Sequence, residues 1–111
     1  MIKNTNTNAE NIVKSLIEAM AQNSAEKMRS LFHNEAKQAY GEGKWKSGEA
    51  FFSWLQSDII DRKGQVDNPK FTSEGNQVFV TGQYSSEGYT NKANFLFRVE
   101  DRKISSWQMK Y

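Results

Sequence analysis

Residues 76–111 read NQVFVTGQYSSEGYTNKANFLFRVEDRKISSWQMKY, and three runs within them carry strand patterns. In Val78-Phe79-Val80 three apolar residues are consecutive, which in a strand means that both faces are covered. In the next run Ala93, Phe95, Phe97 and Val99 share one face while Lys92, Asn94, Leu96 and Arg98 share the other, the period-two alternation of a half-buried strand. In the last run Trp107, Met109 and Tyr111 oppose Ser106, Gln108 and Lys110. Ile104 is out of phase with Trp107, so a bulge near Ser105 is expected if both are to point inward. Together the three runs predict a curved meander with one strongly apolar face, the wall of a pocket.

Upstream, the signals change to helical ones. Residues 1–8 are polar and rich in Asn and Thr, with nothing to bury, and are expected to be a disordered leader before a single domain at 9–111. A first helix should begin near Ala9, with Ile12, Val13, Leu16, Ile17 and Met20 at helical spacing. Ser24 is placed as the N-cap of a short second helix carrying Met28, Leu31 and Phe32 inward, with Lys27 where a capping box wants an acid. Ala36, Gln38 and Tyr40 then alternate with Lys37 and Ala39 in a strand that ends at Gly41-Glu42-Gly43. Ser47-Gly48 opens a third helix, GEAFFSWLQSDII, whose broad face holds Phe51, Trp54, Leu55, Asp58 and Ile59. A weaker strand follows at 65–73, and its Pro69, which cannot donate to the ladder, assigns it to an edge or a bulge. Helices first and strands last make an α+β domain with the helices on one face of the sheet.

Composition narrows the function classes. Fourteen aromatic residues in a chain of 111 (seven Phe, four Tyr, three Trp) concentrate the apolar content in large side chains and suit one compact core. The formal net charge is only +2, and the basic pairs Lys44/Lys46, Arg62/Lys63 and Arg102/Lys103 do not merge into a patch, so no nucleic-acid partner is expected. The absence of Cys removes disulfides, thiolate nucleophiles and Cys-based metal ligation. No apolar run approaches the ~18 residues of a membrane helix and the N-terminus lacks a signal-peptide pattern, so no membrane association is expected and a cytoplasmic location is the default.

The order of elements, and the phrases LFHNEA, KSGEAFFSWL, VTGQYSSEGY and VEDRKISSWQMKY, together resemble the nuclear transport factor 2-like superfamily, in its polyketide-cyclase-like and ketosteroid-isomerase-like branches. The resemblance covers nearly the whole chain. It implies a cystatin-like roll: a cone-shaped, curved antiparallel sheet wrapped around three N-terminal helices, leaving a cavity between helix and sheet, often in a homodimer joined through sheet faces. Where relatives commonly have Gly in the last hairpin, this chain has Arg102, which leaves the turn type there open. The isomerase branch uses a Tyr on the first helix, an Asp base closing the first strand and a protonated Asp on the sheet. In this chain those positions fall on Leu16, Tyr40 and Phe95. Leu and Phe neither donate nor abstract a proton, so that mechanism is disfavoured.

Other chemistry is thinly supported. His33 is the sole His, and no carboxylates flank it at metal-ligand spacing; no metal site and no cofactor are expected. At a helix end its imidazole more often caps a carbonyl than serves as a base. Gly41-Glu42-Gly43 lacks the Gly-Lys-Ser/Thr ending of a phosphate loop. Asp58 is the one acid on the apolar face of the third helix, where burial would raise its pKa. The catalytic candidates are therefore Asp58, Tyr40 and His33, none of them strong. The expected function is noncatalytic binding of a small, mostly apolar molecule. Tyr40 and Gln38 would orient it, and Trp54, Asp58, Phe95, Phe97, Trp107 and Met109 would line the wall. The alternatives are an isomerase, cyclase or dehydratase using Asp58 or His33, and an interaction domain with a filled cone. The opposite sheet face, with Phe79, Thr81, Gln83, Leu96, Arg98, Ser106 and Gln108, has the mixed composition of a homodimer interface.

Overall fold

The alternation in the C-terminal stretch becomes three long strands around one tryptophan. The computed structural model describes residues 5–110, with side chains from Ala9 onward. Its elements are α1 (Thr5–Ala21), α2 (Ala25–Ser30), β1 (Phe32–Tyr40), β2 (Lys46–Ser47), α3 (Glu49–Trp54) with a π-helical continuation at Leu55–Ile60, β3 (Gln65–Glu74), β4 (Gln77–Ser86), β5 (Tyr89–Glu100) and β6 (Lys103–Met109). The six strands form one curved, unclosed sheet in the order β2-β1-β6-β5-β4-β3, with the helices packed on its concave side. This is the expected α+β cone. Of the expected leader, residues 1–4 lie outside the described residues, as does Tyr111. α1 already runs from Thr5, because a helix propagates through polar residues once its apolar stripe has nucleated it.

β3 to β6 form the antiparallel meander, and β1 departs from it by joining β6 in parallel, with Gln38 opposite Trp107. Alternation within β1 gives its faces but not its direction, which is set by the long connection that carries the chain back to β6. The bulge lies where the phase mismatch puts it. Val99 pairs with Ile104 and Arg98 with Ser106, so Ser105 is the extra residue, and Ile104 and Trp107 are both fully buried. β3 is an edge strand, and Pro69 sits in a bulge of its own. Asp67 pairs with Gln83 and Lys70 with Thr81, leaving Asn68-Pro69 opposite Gly82. A Cβ on Gly82 would lie 2.8 Å from the Asp67 carbonyl oxygen, so this close approach requires glycine. The open question at the last hairpin is answered by Asp101 and Arg102, at φ 52° and 66°, which form a two-residue turn with both central residues left-handed, the type I′ arrangement.

The helices bury the residues their spacing indicates: Val13, Leu16, Ile17 and Met20 from α1, Met28 from α2, and Phe51, Trp54 and Leu55 from the third helix. Ser24 occupies the N-cap of α2 without a side-chain capping bond, and the strand after that helix starts at Phe32. Trp107 is the hub of the interior. Its ring lies 5.0 Å from Phe97, 5.1 Å edge-on to Trp54, 5.4 Å edge-on to Phe95 and 6.2 Å stacked on Phe32, tying β6, β5, β1 and the third helix together. Urea titration of Trp107→Ala is expected to show a loss of about 3–5 kcal/mol of unfolding free energy, the range for deleting a large buried aromatic; a loss under ~1 kcal/mol would contradict this packing role.

Candidate functional site

Tyr40 is the last residue of β1 and, by alternation, follows Ala36 and Gln38 onto the inward face at the open end of the cone. The third helix meets it there. Trp54 Nε1 donates to the Tyr40 hydroxyl at 2.8 Å, and that hydroxyl donates to Asp58 Oδ2 at 3.2 Å. Ser57 Oγ donates to Asp58 Oδ1 at 2.8 Å, so both carboxylate oxygens accept a hydrogen bond. The helix reaches this arrangement by widening into a π turn at Leu55–Ile60, within which Leu55, Ile59 and Ile60 stay buried while half-buried Asp58 meets Tyr40. Such turns recur at functional sites because they re-aim side chains within a continuous helix.

Tyr40 and Asp58 border a cavity of about 340 Å³ between the third helix and the ends of β4, β5 and β6. Its floor is apolar: Ile59 from the helix, Phe95 from β5 and Met109 from β6. Its sheet-side wall carries two more phenols, Tyr84 and Tyr89, whose rings are 6.2 Å apart, and Tyr84 also packs edge-on at 5.9 Å against Phe95. Arg62, Lys92 and Lys110 border the mouth. The loop holding Arg62 is tied to the β4–β5 turn, since the Arg62 carbonyl accepts from the Glu87 amide at 2.8 Å and Lys63 pairs with Glu87 at 3.7 Å. Beside that loop, Gly64 leaves room for Tyr84: a Cβ there would overlap the Tyr84 hydroxyl at 2.2 Å.

Burial pushes the Tyr84 phenol up to about 12, so it stays protonated and able to donate throughout the physiological range.

The candidates from the sequence separate into three groups. Tyr40, Asp58, Phe95 and Met109 meet at the cavity. Trp54, Phe97 and Trp107 lie beneath it in the packed interior, and Gln38 is fully buried there too, accepting from Lys46 Nζ at 3.3 Å. Among the described residues Gln38 Nε2 and Trp107 Nε1, neighbours across β1 and β6, have no hydrogen-bond partner. His33 is remote. Its Nε2 donates to the Glu100 carbonyl at 2.6 Å, beside the last hairpin on the outer side of the sheet. Leu96, Arg98, Ser106 and Gln108 line a separate trough of about 680 Å³ on that outer side, with Trp45 exposed at its edge. Sequence reasoning missed Arg62, Tyr84 and Tyr89. Tyr84 was readable, since it continues the inward series Val78, Val80 across Gly82; Arg62 was not, because a loop residue has no periodicity.

No family model matches the chain, and no curated protein matches it. Solved structures do. An NTF2-like protein of unknown function from Cytophaga hutchinsonii superposes with a TM-score of 0.78 at 19% identity, over 91% of this chain and 87% of that one. A candidate ketosteroid isomerase from Kribbella flavida gives 0.82 at 9% identity, over 96% and 79%. A computationally designed 17-OHP binder gives 0.76 at 17% identity, over 94% and 90%. The chain has the nuclear transport factor 2-like fold.

The raised Tyr84 pKa sets a pH dependence. The folded state holds the Tyr84 proton up to about 12, while the unfolded chain releases it near 10.0. The stabilisation is therefore complete below the unfolded value and is lost as pH rises through the folded one. The difference in unfolding free energy between the wild type and Tyr84→Phe is expected to be constant below pH 10 and to shift against the wild type between about pH 10 and 12. A flat difference across that window, measured by denaturant titration, would contradict burial of the phenol.

Proposed function

We propose that the protein binds one small, mostly apolar molecule in the cavity between the third helix and the sheet, without turning it over. The observation that carries this reading is the contrast between a cone interior filled by aromatic side chains and an open 340 Å³ space at its mouth, apolar below and ringed by phenols above. That volume is at the small end of the roughly 300–1,000 Å³ typical of ligand sites. The likeness to a designed 17-OHP binder supports it, since that protein places a ligand in the same fold. Tyr40 and Tyr84 take the orienting role that the sequence assigned to Tyr40 and Gln38.

Native mass spectrometry of freshly purified protein is expected to show one small molecule retained per chain. Ile59→Trp, which fills the floor, is expected to lose it. Identical spectra for the two, with no retained mass, would count against the reading.

The Tyr40–Asp58 hydrogen bond favours one second reading, in which Asp58 is an acid or base for an isomerase, cyclase or dehydratase reaction and Tyr40 holds its orientation. For any substrate found, Asp58→Asn should then lower kcat by about 10²–10⁴. Unchanged turnover would remove Asp58 from the chemistry.

The outer sheet face supplies a partner proposal. Phe79 and Leu96 are half-buried there, Thr81, Gln83 and Arg98 are exposed, and Ser106 and Gln108 line the trough that Trp45 edges. This mixture suits a self-complementary interface, and we assign a homodimer to it. Light scattering at micromolar concentration should report twice the chain mass; a monomeric mass would overturn the assignment.

A further inference from the structure

We propose that the ligand of the cavity is a small aromatic carboxylic acid, its ring seated on Phe95, Ile59 and Met109 and its carboxylate held at the mouth by Arg62 and Lys110. The inference rests on the reading that this cavity holds a small molecule, and adds the chemical class.

Charge carries the first step. Three cations border the mouth against a single carboxylate, Asp58. Asp58 is already engaged, with the Tyr40 and Ser57 hydroxyls on its two oxygens. Among the described residues, none of the three cations forms an ion pair. A cationic ligand would meet this field unfavourably, and a neutral hydrocarbon would leave it unused. An acid uses it, and a planar guanidinium such as that of Arg62 matches a carboxylate with paired donors. The loop backbone that carries Arg62 is tied in place, because the Arg62 carbonyl is bonded to the Glu87 amide and its neighbour Lys63 is paired with Glu87.

The floor carries the second step. Phe95 already makes edge-on contacts with Tyr84 and Trp107, so a ring entering above it continues an aromatic cluster. Met109 adds a polarisable thioether that packs well against ring edges. The volume, at the small end for ligand sites, suits a compact body such as a fused ring pair. Tyr84 and Tyr89 also line the cavity, and a phenol there can donate to an acceptor on the ligand.

The test titrates the full chain at low salt with 2-naphthoate and with its neutral counterpart 2-naphthamide, by calorimetry. 2-Naphthoate is expected to bind about tenfold more tightly, the scale of two partly exposed charge pairs. That advantage should shrink towards parity in Arg62→Gln/Lys110→Gln and in high salt, with amide affinity retained. If the amide binds as well as the acid, or if the acid's advantage survives in the double variant, the class inference is overturned and the cavity reading stands. If neither probe binds the wild type, the class inference is overturned, while a mass retained in the native spectrum keeps the cavity reading. Ile59→Trp checks that the probes enter this cavity: it should abolish binding of both, and undiminished binding would place them elsewhere and overturn the inference.

Discussion

The contact on which the rest of the structure depends is the packing of Trp107 into the ring formed by Phe32, Trp54, Phe95 and Phe97. One side chain on β6 touches β1, β5 and the third helix, so it fixes how far the sheet curves towards the helix. It also settles where empty space can exist. A curved sheet over helices encloses a volume that small side chains would leave unfilled, at a cost of about 24 cal/mol per Å³ in large-to-small core substitutions. Here large rings fill the depth of the cone, and only the end beyond Phe95 and Met109 stays open.

That open end is held by polar contacts anchored in the same core. The indole of Trp54, edge-on to Trp107, donates to Tyr40, and Tyr40 donates to Asp58 on the next turn of the helix. The chain of contacts thus runs from the hydrophobic centre to the cavity edge without relying on a mobile surface group. Each hydrogen bond contributes only about 1 kcal/mol to stability, so its main effect is orientation. Tyr40 and Asp58 point where they do because Trp54 is packed.

Much of this was legible in the sequence. The alternation of Ala93, Phe95, Phe97 and Val99, the phase break between Ile104 and Trp107, and Pro69 in a weak strand each state a physical constraint, and the structure satisfies all three. What escaped was whatever depends on a neighbour distant in the chain. The parallel pairing of β1 with β6 leaves no mark in β1 itself. The π turn at Leu55–Ile60 has the same apolar spacing as an α-helix, so periodicity does not reveal it. Gln38 alternates inward with Tyr40, yet it is fully buried, and of the two only Tyr40 borders the cavity. Arg62 sits in a turn held by backbone bonds to the end of the third helix and to Glu87, a residue 25 positions away.

The central claim is one of place: the mouth of the cone, and not the larger trough on the outer face of the sheet, receives the ligand. Amide chemical-shift mapping by ¹H–¹⁵N correlation spectroscopy during a 2-naphthoate titration tests it most directly. The expected perturbations fall on Asp58, Ile59, Arg62, Tyr84, Phe95 and Met109, with His33, Trp45 and Gln108 unmoved. Perturbations confined to His33, Trp45 and Gln108 would contradict it.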